Sequence, residues 1–226
     1  MASEKEQPIV NVQEAISKTE HFIEENKKSL AIIIGAVVFL IAGYFAWTKL
    51  YIAPMEEEAK TELFMAESYF EKDSLDKAIN GDGQNLGFVD LVDKYSLTPS
   101  GNLARYYLGI CYLHKGKYED AIEELSNYNP DGEMLGPVAT AAIGDAHLQL
   151  GRTDEAINYY LKAAEMNKNN FTAPVILFKA GLAYQNSGKY KEAIQVYELI
   201  KTDYPDTKEG RDMDKYIARA KTISGS

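Results

Sequence analysis

The residues of this chain that could do chemistry are few and scattered. Its histidines are His21, His114 and His147, and its one cysteine is Cys111. Cys111 and His114 lie three apart and could share a helix face, but no nearby pair completes the four-ligand set of a structural metal site. Cys111 falls between Gly109 and Tyr112 in a core position, where a free thiol behaves as a small buried hydrophobe. Asn80-Gly81-Asp82-Gly83 lacks the alternating acids and closing Glu of a calcium loop and reads as a solvated turn. No Gly-rich phosphate cradle and no Ser, His and Asp set stands out. The expectation is a non-enzymatic protein without metal or cofactor, whose function lies in a surface.

The elements that would build that surface are repeated. Gly116-Lys117-Tyr118-Glu119-Asp120-Ala121-Ile122 returns as Gly151-Arg152-Thr153-Asp154-Glu155-Ala156-Ile157 and as Gly188-Lys189-Tyr190-Lys191-Glu192-Ala193-Ile194, at intervals of 35 and 37 residues. Each Gly marks the end of one helix, the acids open the next, and the Ala lets two helices approach closely. Leu108-Gly109-x2-Tyr112 with Ala121-x3-Leu125, Ile143-Gly144-x2-His147 with Ala156-x3-Tyr160, and Ala180-Gly181-x2-Tyr184 with Ala193-x3-Tyr197 and Pro205 follow the tetratricopeptide pattern. Met65-Ala66-x2-Tyr69 with Ala78 forms a weaker first copy. The surplus length before the second copy falls around Asn80–Asn85, read as a loop from its Gly and Asx content. Asp206 and Thr207 can cap a last helix running to about Lys221, closing the stack.

Arrays of this kind bind along the face formed by the first helix of each pair. The positions expected there are Leu63 and Phe70; Leu103, Tyr106, Ile110, Leu113 and His114; Val138, Ala141, Asp145, Leu148 and Gln149; and Val175, Phe178, Leu182, Gln185 and Asn186. Leu63, Phe70, Leu103, Tyr106, Ile110, Leu113, Leu148, Phe178 and Leu182 make the candidate partner-binding set, against the alternative that they pack between helices or lie beneath the terminal helix or a second copy. The face is apolar, and exposed apolar patches mark contact sites. Co-chaperones that grip acidic tails carry Lys and Asn at the matching positions, so a receptor of that sort is excluded.

Leu30 to Trp47 is an uncharged run of 18 residues. As a helix it spans about 27 Å, the thickness of a bilayer core, with Tyr44, Trp47 and Tyr51 at its far end. A core helix would be shorter, and a signal peptide would end in small residues rather than Tyr-Phe-Ala-Trp. Lys18, Lys27 and Lys28 before the run against Lys49 and Lys60 after it favour an inside N-terminus. Ala31 with Gly35 and Ala42 with Ala46 are small residues at four-residue spacing, able to admit a second membrane helix. Residues 50–226 carry 19 basic and 28 acidic side chains, a balance that repels nucleic acid and anionic lipid.

The expected fold class is therefore all-α, a single N-terminal transmembrane helix followed by a tetratricopeptide-repeat α-solenoid with a C-terminal capping helix. Its expected parts are a short amphipathic segment 1–29, the membrane helix 30–49, and a repeat domain 50–226 of about four helix pairs.

The stretch Glu14 to Phe22, the phrase His21-Phe22-Ile23-Glu24-Glu25-Asn26-Lys27-Lys28 leading into the span, and the acidic repeats behind it resemble the YfgM family of bacterial inner-membrane proteins, accessory subunits of the Sec translocon. Asn80–Phe88 with Ser100–Gly109 looks like the Bacteroidota version. The resemblance implies a cytoplasmic N-terminus, a periplasmic repeat domain, association with SecYEG and a PpiD-like membrane chaperone, and holdase-like help to unfolded client polypeptides. The alternative is a membrane-anchored scaffold docking a single folded partner in another envelope assembly.

Overall fold

The computed structural model describes residues 12–130 and 133–225, with side chains from Glu20 onward. Among them all regular structure is helical, and the chain divides into two units, Met1–Pro54 and Met55–Ser226. The first unit holds α1, Val12–Trp47, and a π-helical turn at Thr48–Ile52. It contains an 18-residue stretch of mean hydropathy 2.4, none of it buried, which among the described residues is the one helix long and apolar enough to cross a membrane. Trp47 stacks on Tyr51 at 6.4 Å. Ala31, Gly35, Ala42 and Ala46 are all exposed, and a Cβ at Gly35 would meet nothing within 4 Å. Residues 1–11 of the segment 1–29 lie outside the described residues.

The second unit is a run of antiparallel helix pairs. α2 (Ala53–Glu71) precedes two short helices, α3 (Leu75–Asn80) and α4 (Phe88–Lys94). Then α5 (Pro99–His114) pairs with α6 (Tyr118–Asn127), α7 (Leu135–Gln149) with α8 (Thr153–Met166), and α9 (Ala173–Asn186) with α10 (Tyr190–Asp203); α11 (Lys208–Ser224) closes the run. Thr98 caps α5 and Thr207 caps α11, each side chain accepting from a backbone N–H three residues on.

The turn inside each pair explains the repeated glycine. Gly116, Gly151 and Gly188 have φ of 74, 75 and 79°, and the residue after each donates its N–H five residues back, as Lys117 does to the Tyr112 carbonyl at 2.9 Å. In the first pair Asp73 takes this left-handed place, at φ 56°. A second close approach fixes the small residue within the first helices. A Cβ on Gly181 would lie 2.3 Å from the Tyr197 ring, and one on Gly144 2.8 Å from the Tyr160 ring. Ala121, Ala156 and Ala193 are completely buried where the second helices cross the first.

The surplus in the first copy is a loop, as its Gly and Asx content indicates, and it falls inside a helix. Residues 81–87 split the second helix of that pair into α3 and α4, so the segment adds an irregular turn while keeping both halves helical. Asp82 organises the turn, accepting the N–H groups of Gln84 and Asn85 and the Tyr69 hydroxyl at 2.6 Å. Phe88 and Leu91 of the second half, and Tyr95 just after it, return to the core beside Ala59, Leu63 and Ala66.

Consecutive pairs are also joined by charge. Lys115 pairs with Asp76, Arg152 with Glu119, and Lys189 with Asp154. The acid stands each time at the second position of a second helix, and its partner comes from the next pair's turn. In the last pair Lys191 holds the acid's place, where no further pair supplies a cation.

Candidate functional site

The first helices α2, α5, α7 and α9 lie side by side and present one face. Its middle is hollow because its residues differ in size. α5 offers Ile110, Leu113 and His114, and α9 offers Val175, Ile176 and Lys179, whereas α7 between them offers only Val138, Ala141, Ala142 and Asp145. The small floor between larger walls leaves a depression of about 290 Å³, with Phe171 and Thr172 on its rim. Phe171 is 78% exposed, an aromatic ring left in water on an ordered turn. That turn is tied by Asn169, whose Oδ1 accepts the N–H of Phe171 at 2.7 Å and of Thr172 at 2.8 Å.

The polar groups of the depression neutralise one another. Asp145 accepts the Tyr160 hydroxyl at 2.7 Å and both oxygens take the Lys179 ammonium, at 2.8 and 2.6 Å. Burial first, and then the Asp145 charge, hold the Tyr160 hydroxyl far above its ordinary range. The pair spans α7 and α9, so it fixes the floor against one wall.

Towards the first pair the face turns acidic. Glu67 and Glu71 stand one turn apart on α2, and no Lys or Arg among the described residues forms an ion pair with either. Burial raises the Glu67 carboxyl above the ordinary range; the Tyr107 hydroxyl lowers it by a smaller amount, and the Glu71 charge raises it further. Between these acids and the depression lie Phe70 and His114, with rings 6.4 Å apart. A wider recess of about 1210 Å³ opens nearby, lined among others by Glu56, Leu63, Leu103, Arg105 and Tyr128. Glu56 is committed there to Ser100, accepting its N–H and its hydroxyl. Arg105 is committed to Glu124 at 2.7 Å.

The candidate residues take different places. Ile110 and Leu113 wall the depression. Leu63 and Leu103 line the wider recess, Leu63 as a buried residue. Phe70 is half-buried against Tyr107 and His114, and Tyr106 packs on Tyr107 and Tyr128. Leu148 is exposed and Leu182 half-buried, lining neither cavity. Phe178 meets Tyr216 of α11 edge to face at 4.7 Å, so the closing helix shares its ring with the face. Phe171 and Thr172 escaped the sequence reading because they lie in the turn before α9, outside any helical register. An aromatic two residues after a turn-forming Asn, just before the Thr-Ala-Pro start of a helix, was the available signal.

Cys111 is fully buried, and burial pushes its thiol up to about 12, while His114 on the same helix is exposed. His147 occupies the repeat's usual Tyr position and stacks on Tyr159 at 5.1 Å. No group of three or more His, Cys, Asp or Glu among the described residues is placed to hold a metal ion.

Helix pairs with left-handed turns, small-residue crossings and a shared inner face define a tetratricopeptide-like repeat protein, a class that serves as scaffolds for protein–protein contact. The chain belongs to the family described as T7SS, ESX-1 secretion system protein EccA1, N-terminal domain, whose profile matches residues 10–216. A kinesin light chain of nearly identical TPR-like repeats from Podosopora anserina is similar in fold, with TM-score 0.59 at 15% identity over 75% of this chain and 88% of that one. A point variant of that protein gives TM-score 0.59 at 14% identity over the same shares. Human Superkiller complex protein 3 is 30% identical over 100 residues, 42% of this chain, and this chain spans 6% of that relative's length.

Proposed function

We propose that this protein is a membrane-anchored, non-enzymatic accessory of the Sec translocon, whose repeat domain holds emerging or unfolded envelope proteins on its inner face. In this reading residues 1–29 are cytoplasmic, 30–49 cross the inner membrane once, and 50–226 form the periplasmic repeat domain, working beside a PpiD-like chaperone. The observation that carries it is the open apolar depression between α5, α7 and α9, with Phe171 and Val175 exposed on its wall. The exposed apolar α1 supports the anchor, and its small residues Ala31, Gly35, Ala42 and Ala46 offer a surface for a neighbouring membrane helix. A tether of this kind raises the effective concentration of the binding face at the channel without raising its affinity.

Copurification from gently solubilised membranes tests this reading. The native chain should bring down SecYEG, and a chain whose residues 30–47 are replaced by an unrelated span should insert but lose it. Absence of SecYEG with the native span would overturn the translocon assignment. A reporter fused after the last helix should be active only outside the cytoplasm; cytoplasmic activity would reverse the topology. Membership of a family described by a secretion-system protein favours a second reading, a scaffold docking one folded partner in another secretory assembly. A saturable complex with one folded protein, without affinity for unfolded chains, would support that instead.

A further inference from the structure

We infer that the inner face selects extended segments in which one bulky apolar side chain is followed or preceded, three or four residues away, by a Lys or Arg. This rests on the reading of that face as a polypeptide-binding surface and names what it recognises. The apolar side chain belongs in the depression between α5, α7 and α9. The lining there is mainly aliphatic, with the Phe171 ring and His114 at its edges, and its one ion pair, Asp145 with Lys179, is already closed on itself, with the Tyr160 hydroxyl completing the Asp145 carboxylate. A charged side chain entering the depression would lose hydration and find no free counter-charge, whereas an apolar one covers Val138, Ala141 and Val175 and meets the exposed Phe171 ring.

The basic residue belongs beside Glu67 and Glu71. Glu67 lines the wider recess next to the depression and Glu71 stands one turn further along α2, and neither has an ion-pair partner among the described residues, in a domain with nine more acidic than basic side chains from residue 50 onward. Their separation from the depression sets the register. From His114 on the wall to Phe70 is 6.4 Å between rings. From Phe70 back to Glu67 is one helical turn, about 5 Å, so three or four extended residues at about 3.3 Å each cover the distance. The two contacts divide the work. The depression supplies affinity, and the acids supply preference and a steering field that salt weakens.

Fluorescence anisotropy of the detergent-solubilised chain tests this with labelled Gly/Ser peptides carrying one Phe and one Lys three residues to either side of it. Phe→Ser in the peptide should weaken binding about tenfold, and Lys→Glu about threefold at low salt. Val175→Asp, on the exposed wall, should reproduce the loss of the Phe effect. Glu67→Gln with Glu71→Gln should leave the Phe effect and abolish the Lys preference. Circular dichroism melts establish that the variants are folded, and the peptide series itself needs no variant. Equal binding of the Phe and Ser peptides, or a Lys preference that survives both Gln substitutions, would overturn the inference. Binding of an unfolded protein without these preferences would refute the inference while leaving the proposed function standing; no binding of either would refute both.

Discussion

Single residues in this chain are constrained mainly by how close two helices come. Gly181 sits against the Tyr197 ring with no room for a Cβ, so Gly181→Ala forces the ring or the helix to move. Thermal or denaturant unfolding should show a loss of about 1–3 kcal/mol, and Ala156→Leu at the equivalent crossing of the previous pair should cost a similar amount. Cys111 carries a pH signature. Burial holds the folded thiol at about 12, whereas an unfolded thiol titrates at about 8.5. Between these values the folded chain keeps a proton that the unfolded chain has lost, so stability falls as pH rises across that window. Cys111→Ala should therefore flatten the slope of unfolding free energy against pH above about 9, and an unchanged slope would assign it to the tyrosines alone. The role of Cys111 was legible in the sequence because its neighbours in the repeat fix its register. The exposed position of Phe171 was not, since a turn residue has no periodic neighbour to place it.

At the scale of elements, the pairs are bound to one another by apolar contact and aligned by charge. Lys115–Asp76, Arg152–Glu119 and Lys189–Asp154 all join exposed groups, which water and salt screen. Reversing both Glu119 and Asp154 to Lys should lower the melting temperature slightly at low salt, with the deficit shrinking as salt is added. A deficit independent of salt would mean that helix packing, not charge, had been disturbed. The helix pairs were readable because Gly, acid and Ala recur at nearly fixed intervals. The split of the first pair's second helix was not, because the inserted turn breaks that interval and only the return of Phe88, Leu91 and Tyr95 to the core shows that both halves remain helical. The docking of α11 on Phe178 was equally hidden, since the repeat pattern does not say which ring the last helix covers.

In the whole molecule, the proposed membrane tether precedes a proposed binding face whose centre is hollow because α7 is small where its neighbours are large. The residue types of that floor were visible in the sequence, but a cavity depends on what stands opposite, which only the packed helices supply. Unfolded polypeptide is proposed to lie on this inner face. Site-specific photo-crosslinking tests it most directly, with the reactive side chain placed in turn at Val175 on the wall of the depression and at Leu199 on α10, both exposed in the free protein. An unfolded envelope protein should crosslink from position 175 and not from position 199, and excess Phe-containing peptide should suppress the adduct. Crosslinking from 199 alone, or equally from both positions, would show that the polypeptide does not lie on the inner face.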